Sequence, residues 1–94
     1  MRIVRVPGPN KKHKVFLYAL STCMWCAQTK SFLKNNGIEY EYVDVDLASK
    51  EDKEEIRKRI HSMGGRFSFP TVVIDEKHLI TGYDEDRLRR ALEK

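Results

Sequence analysis

Apolar and polar positions change their spacing several times along this chain, and the changes mark out its elements. Val15-Phe16-Leu17-Tyr18-Ala19-Leu20 is an unbroken apolar run of strand length. Ser21 and Thr22 then supply side chains able to cap a helix, and Asn36-Gly37 supplies its stop. Within that helix Cys26, Thr29 and Leu33 fall on one face, with Phe32 beside them, so the face can pack on a sheet. Tyr40 to Asp46 alternates large and charged residues, the pattern of a strand with one buried side. Ser49 caps a second helix, Asp52 places an acid in its first turn, and Ile56, Ile60 and Met63 line one face before Gly64-Gly65 ends it. Pro70 opens the β-branched run Thr71-Val72-Val73-Ile74-Asp75, which turns around Glu76-Lys77 and returns as His78 to Thr81. A last helix is expected from Asp84 to Glu93, with Leu88, Ala91 and Leu92 facing inward.

The order β-α-β-α-β-β-α predicts an α/β domain. Its opening strand-helix-strand unit pairs in parallel through a right-handed crossover, and the closing hairpin adds antiparallel strands. The expected result is a mixed four-stranded sheet covered by three helices, spanning residues 14–94. Residues 1–13 carry Pro, Gly and Lys with no sustained period, and are read as a basic, flexible extension.

With 94 residues there is room for one hydrophobic core and not for two. No apolar stretch is long enough to cross a bilayer, so no membrane role is expected. The opening Met1 to Asn10 lacks the apolar region and small-residue cleavage site of a secretory leader, which makes the cytoplasm the expected location. The formal charge of +4 is uneven, because residues 1–38 hold seven Lys or Arg and no Asp or Glu. Without aromatic residues interleaved among them, these basic residues do not form a nucleic-acid-binding pattern. Placed near a cysteine, a positive field has a nearer use: it favours thiolate over thiol.

The chain holds two cysteines, spaced as Cys23-Met24-Trp25-Cys26 where the first apolar strand passes into a helix. Unpaired N–H groups and the positive end of the helix dipole favour a thiolate at Cys23, which makes it the nucleophile. Cys26, one turn deeper, can attack a mixed disulfide on Cys23 and is the resolving thiol. A tetrahedral metal site would need two further ligands, and His13, His61 and His78 are scattered with no paired spacing, so no metal is assigned. A structural disulfide closing so small a loop would restrain little chain entropy.

From Lys14 to Glu93 the chain resembles the glutaredoxins. In that family the Cys-x-x-Cys follows the first strand as here, a cis-proline precedes the third strand and a glycine turn precedes the last helix. The resemblance implies a thioredoxin-like fold and thiol-disulfide oxidoreductase activity on protein or glutathione mixed disulfides. Phe69-Pro70 is similar to the cis-proline step, whose backbone would pair with a bound peptide or glutathione. Ile80-Thr81-Gly82-Tyr83-Asp84 is similar to the glycine turn, which makes Gly82, Tyr83 and Asp84 substrate-binding candidates. Lys30, one turn after Cys26, matches a basic position frequent in the family. Trp25, with Tyr83, is expected to form an exposed aromatic rim suited to docking on a protein surface.

Several residues depart from the family pattern. Leu20 stands where members that use glutathione often carry a lysine, Met24-Trp25 replaces the frequent Pro-Tyr, and Ser68-Phe69-Pro70 replaces Thr-Val-Pro. Thr81-Gly82-Tyr83 followed by Asp86 is similar to the glutaredoxin-like donors of ribonucleotide reductase, which take electrons from a dedicated reductase. The expected reductant is therefore glutathione or such a reductase, acting on a monomeric carrier that needs no bound cofactor beyond its redox-active cysteines. The alternative implied by the family is an iron–sulfur module, with Cys23 and an outside thiol holding a cluster between two copies.

Overall fold

The computed structural model describes residues 1–93. The strands are β1 (Val4–Val6), β2 (Val15–Ala19), β3 (Tyr40–Asp44), β4 (Thr71–Ile74) and β5 (His78–Thr81). The helices are α1 (Met24–Asn35), α2 (Lys50–Ser62) and α3 (Glu85–Leu92), with a short 3-10 turn at Val45–Leu47. One sheet holds them in the order β1-β3-β2-β4-β5. The β2 and β3 strands are parallel, as a strand-helix-strand unit requires, and the remaining neighbours are antiparallel.

The alternation of β2 and β4 divides the core. Val15, Leu17 and Ala19 join Val72, Ile74 and Ile80 on one face, under Cys26, Phe32 and Leu33 of α1 and Leu88 and Leu92 of α3. Phe16, Tyr18 and Val73 face the other way, toward Ile56 and Ile60 of α2. Fully apolar strands are what a sheet covered on both faces needs. The caps follow local chemistry: the Ser49 hydroxyl accepts the Asp52 N–H at 3.1 Å, and Gly64, at φ 81°, closes the helix by donating to the His61 carbonyl at 3.0 Å.

The sheet has five strands where four were expected, and the additional one comes from the segment read as a flexible extension. Val4 and Val6 pair with Tyr42 and Tyr40 on the outer edge of β3. The chain then continues along the same side, Asn10 donating to the Gly37 carbonyl and accepting from the Glu39 N–H, each at 2.9 Å. Arg5 closes an ion pair with Glu39 at 3.1 Å. Left open, the β3 edge would present a row of unsatisfied backbone groups, and this segment covers it. Smaller differences concern element ends. The third strand stops at Asp44 and leaves Asp46 in the 3-10 turn, while the hairpin turns at Asp75 and Glu76, both at positive φ, one step earlier than expected.

Gly8 is where this docking can be tested. A Cβ added there would lie 2.7 Å from the Gly37 oxygen and 3.0 Å from the Glu39 nitrogen, both backbone atoms of the neighbouring stretch. Gly8→Ala is expected to cost about 1–3 kcal/mol through overpacking. In a hydrogen-exchange measurement, protection should fall at Val6 and Tyr42 while the β4–β5 ladder keeps its own.

No helix among the described residues is long and apolar enough to cross a membrane.

Candidate active site

The site forms where β2 ends and α1 begins. Cys23 occupies the N-cap itself, with extended backbone angles (φ −91°, ψ 121°), so capping passes to the sulfur rather than to Ser21 or Thr22. Its Sγ accepts the Cys26 backbone N–H at 3.3 Å, and its carbonyl accepts the Ala27 N–H at 3.1 Å. The first turn of α1 carries no acidic residue to oppose a negative charge at that position. Cys23 is partly exposed and Cys26 fully buried, and both are free thiols.

Burial raises the Cys23 pKa, but hydrogen bonds from the Cys26 thiol and from the backbone N–H groups of Cys26 and Trp25 outweigh it, so the net shift is downward. Cys26 moves the opposite way. Burial first, then the hydrogen bond it gives Cys23, push its pKa up to about 12, while the Leu20 N–H at 3.4 Å from its sulfur and the Lys30 charge pull it back. The pair therefore holds one readily formed thiolate at the surface and one proton beneath it.

Two further segments are linked to this helix end. The Phe69-Pro70 peptide is cis, and the buried Pro70 accepts the Gly82 N–H on its carbonyl at 2.7 Å. Gly82 turns at φ 80°, a conformation glycine adopts without a steric penalty. Next to it Tyr83 stacks on Trp25, with ring centroids 5.9 Å apart and planes 18° from parallel. The Trp25–Tyr83 stack and the Gly82–Pro70 bond thus connect four of the expected substrate-binding residues to the helix that carries the cysteines. Trp25 stays 54% exposed, Met24 beside it is exposed as well, and Phe69 packs edge-on against Phe67 at 5.1 Å.

The remaining two candidates have partners within the chain. Lys30 bonds Asp44 at 3.2 Å and lies 4.0 Å from the centre of the Tyr42 ring. The Asp84 carboxylate caps α3 by accepting the Arg87 N–H at 3.1 Å. Asp46 belongs to no motif in the sequence, yet it accepts both the Ser21 N–H and the Ser21 hydroxyl, and these bonds lower its pKa. Topology carried a signal for this contact. Parallel neighbours end side by side, so an acid just beyond β3 lies against the turn that leaves β2.

The family model for glutaredoxin matches residues 15–79, a segment that includes both cysteines and the cis-proline. The chain belongs to the glutaredoxin family. Members of this family are thiol-disulfide oxidoreductases. Among solved structures, the glutaredoxin from Methanosarcina mazei Go1 superposes with a TM-score of 0.88 at 34% identity, over 100% of this chain and 90% of that one. The methanoredoxin from Methanosarcina acetivorans gives 0.79 at 38% identity, over 86% and 85% of the two chains. Glutaredoxin 1 from Rickettsia prowazekii is 31% identical over 71% of this chain and 67% of its own length. This chain thus spans about two thirds of the length of that relative. The mixed α/β sheet with three helices is the thioredoxin-like architecture these structures share.

Proposed function

We propose that this glutaredoxin-family chain is a dithiol electron carrier that reduces protein disulfides and mixed disulfides through Cys23 and Cys26. The observation that carries the reading is the placement of Cys23 on the α1 N-cap, with its sulfur accepting the N–H of Cys26. The Cys23 thiolate attacks one sulfur of the substrate disulfide, forms a mixed disulfide and expels the other sulfur as a thiolate, which takes a proton from solvent. The Cys26 thiol gives up its proton and attacks the Cys23 sulfur. The second substrate thiolate leaves, and the carrier keeps a Cys23–Cys26 disulfide for glutathione or a dedicated reductase to reduce.

Leu20 offers no charge to a glutathione carboxylate, and the stacked Trp25–Tyr83 pair offers an apolar ledge beside the nucleophile. Both features favour a protein disulfide as substrate. Phe69, Pro70 and Gly82 would align its backbone, while Lys30 and Asp84 act through the helices they hold. In this reading the carrier works in the cytoplasm as a monomer without a resident cofactor.

The deciding experiment compares turnover of a glutathione mixed disulfide, driven by glutathione and its reductase, with turnover of a protein disulfide driven by a dithiol. Activity on the protein disulfide that is lost in Cys26→Ser supports the carrier. Turnover of the glutathione substrate that survives in Cys26→Ser would replace it with a monothiol mechanism. The ledge makes its own prediction. Trp25→Ala should raise KM for the protein disulfide about fivefold, corresponding to ~1 kcal/mol of aromatic contact, and leave turnover of a small disulfide unchanged.

A further inference from the structure

We propose that Asp46 is a positioning residue for the resolving step: its carboxylate holds the turn between β2 and α1 through Ser21, and so keeps the Leu20 N–H on the Cys26 sulfur. The inference rests on the dithiol reading above and assigns a part in it to a residue remote from both cysteines in sequence.

The stretch from Leu20 to Cys23 has no regular structure of its own. At one end Leu20 packs toward the α2 side of the core, and at the other Cys23 is fixed by α1. A bond from the Cys23 N–H to the Leu20 carbonyl at 3.2 Å closes the turn on itself but does not orient it. Ser21 and Thr22 between them are exposed. Ser21 ties the turn to the rest of the molecule by giving Asp46 its N–H at 2.9 Å and its hydroxyl, one to each carboxylate oxygen. Two bonds to a planar carboxylate fix direction as well as distance.

Asp46 has an exposed side chain, and its backbone is held by its neighbours. It lies in the 3-10 turn between Val45, which is 2% exposed, and the Ala48 N–H, which donates back to the Val45 carbonyl at 3.1 Å. Through the brace this corner orients the neighbouring Leu20 N–H, which donates to Cys26 Sγ at 3.4 Å. Cys26 is fully buried, so a backbone donor stands in for water when its thiolate forms. In that step the Cys26 thiolate bonds to the Cys23 sulfur, the Cys23–substrate bond breaks, and the substrate leaves as a thiolate with the electron pair. A donor moved off the Cys26 sulfur leaves that thiolate less stabilised and its approach less well aimed. Cys23 attack precedes this and draws on the Cys26 thiol and on the Cys26 and Trp25 N–H groups, none of which Asp46 touches directly.

An aromatic disulfide that releases a coloured thiolate separates the two steps. The first equivalent reports Cys23 attack and the second reports Cys26 resolution. Asp46→Ala should slow the second phase about tenfold and move its pH dependence upward, with the first phase within about twofold of wild type. Asp46→Asn keeps an oxygen for the Ser21 N–H and should recover part of the rate. The Ser21→Ala/Asp46→Ala double variant should be no slower than Asp46→Ala, because both residues act through one contact. The proposal is overturned by a second phase that stays within about twofold of wild type in Asp46→Ala, or by equal slowing of both phases. Release of the second equivalent at the wild-type rate by Cys26→Ser would instead remove the dithiol reading itself.

Discussion

Cys23→Ser should abolish disulfide exchange, lowering turnover by at least about a thousandfold, the scale on which enzymes respond to loss of a covalent nucleophile. The reason is the acidity of the group. A thiol near its ordinary pKa of about 8.5 already forms some thiolate at neutral pH, and the bonds around Cys23 increase that fraction, whereas a serine hydroxyl in the same place stays protonated. The pH profile provides an independent check with a definite sign. Alkylation follows the thiolate, so its rate climbs as pH rises through the Cys23 pKa and levels off above it. Because that pKa is lowered, the midpoint should fall below the ordinary thiol value, and Cys26, at about 12, should remain unmodified across the same range. Cys26→Ala removes the side-chain hydrogen bond but keeps the backbone donors, so the midpoint should move part of the way back. Substantial turnover in Cys23→Ser would place the reaction elsewhere in the molecule.

The cysteines, the helix that presents them and the order of the elements after Lys14 were all legible in the sequence, because each rests on interactions between near neighbours. A Cys-x-x-Cys after an apolar strand, Ser49 three residues before Asp52, and a β-branched run after Pro70 carry their meaning within a few positions. The Val4–Val6 strand was not legible for the opposite reason. Three residues bounded by a proline do not sustain a strand pattern, and this one exists because the β3 edge supplies the partner. Capping by the Cys23 sulfur was hidden by two better cap residues directly before it, of which Ser21 instead bonds Asp46 from beyond the next strand. Lys30 shows a similar limit. Its position in α1 marks it as close to Cys26, but its bonding to Asp44 and Tyr42 depends on how α1 lies across β3.

Leu17→Ala should produce the largest loss of stability, about 3 kcal/mol, because Leu17 sits at the middle of the central strand and is fully buried. It lies between Tyr42 on β3 and Val72 on β4, in the core that α1 and α3 cover. Strands on both sides leave the backbone little freedom to collapse into the vacated volume, so the cavity contribution adds to the lost transfer free energy. Small domains have only about 5–15 kcal/mol in total, and for a domain of this size the change corresponds to a fall in unfolding midpoint of roughly 12–24 °C. Leu47→Ala is the matched control. Leu47 is 73% exposed, and its truncation should change stability by no more than about 0.5 kcal/mol. The strand that loses Leu17 also delivers the turn that carries Cys23, so the variant links fold to function. Well below its lowered midpoint it should keep the wild-type rate of Cys23 alkylation, since the α1 donors around the sulfur are untouched. A stability loss below about 1 kcal/mol would mean that the sheet collapses around the deletion, and that the core on this face is less tightly packed than its burial indicates.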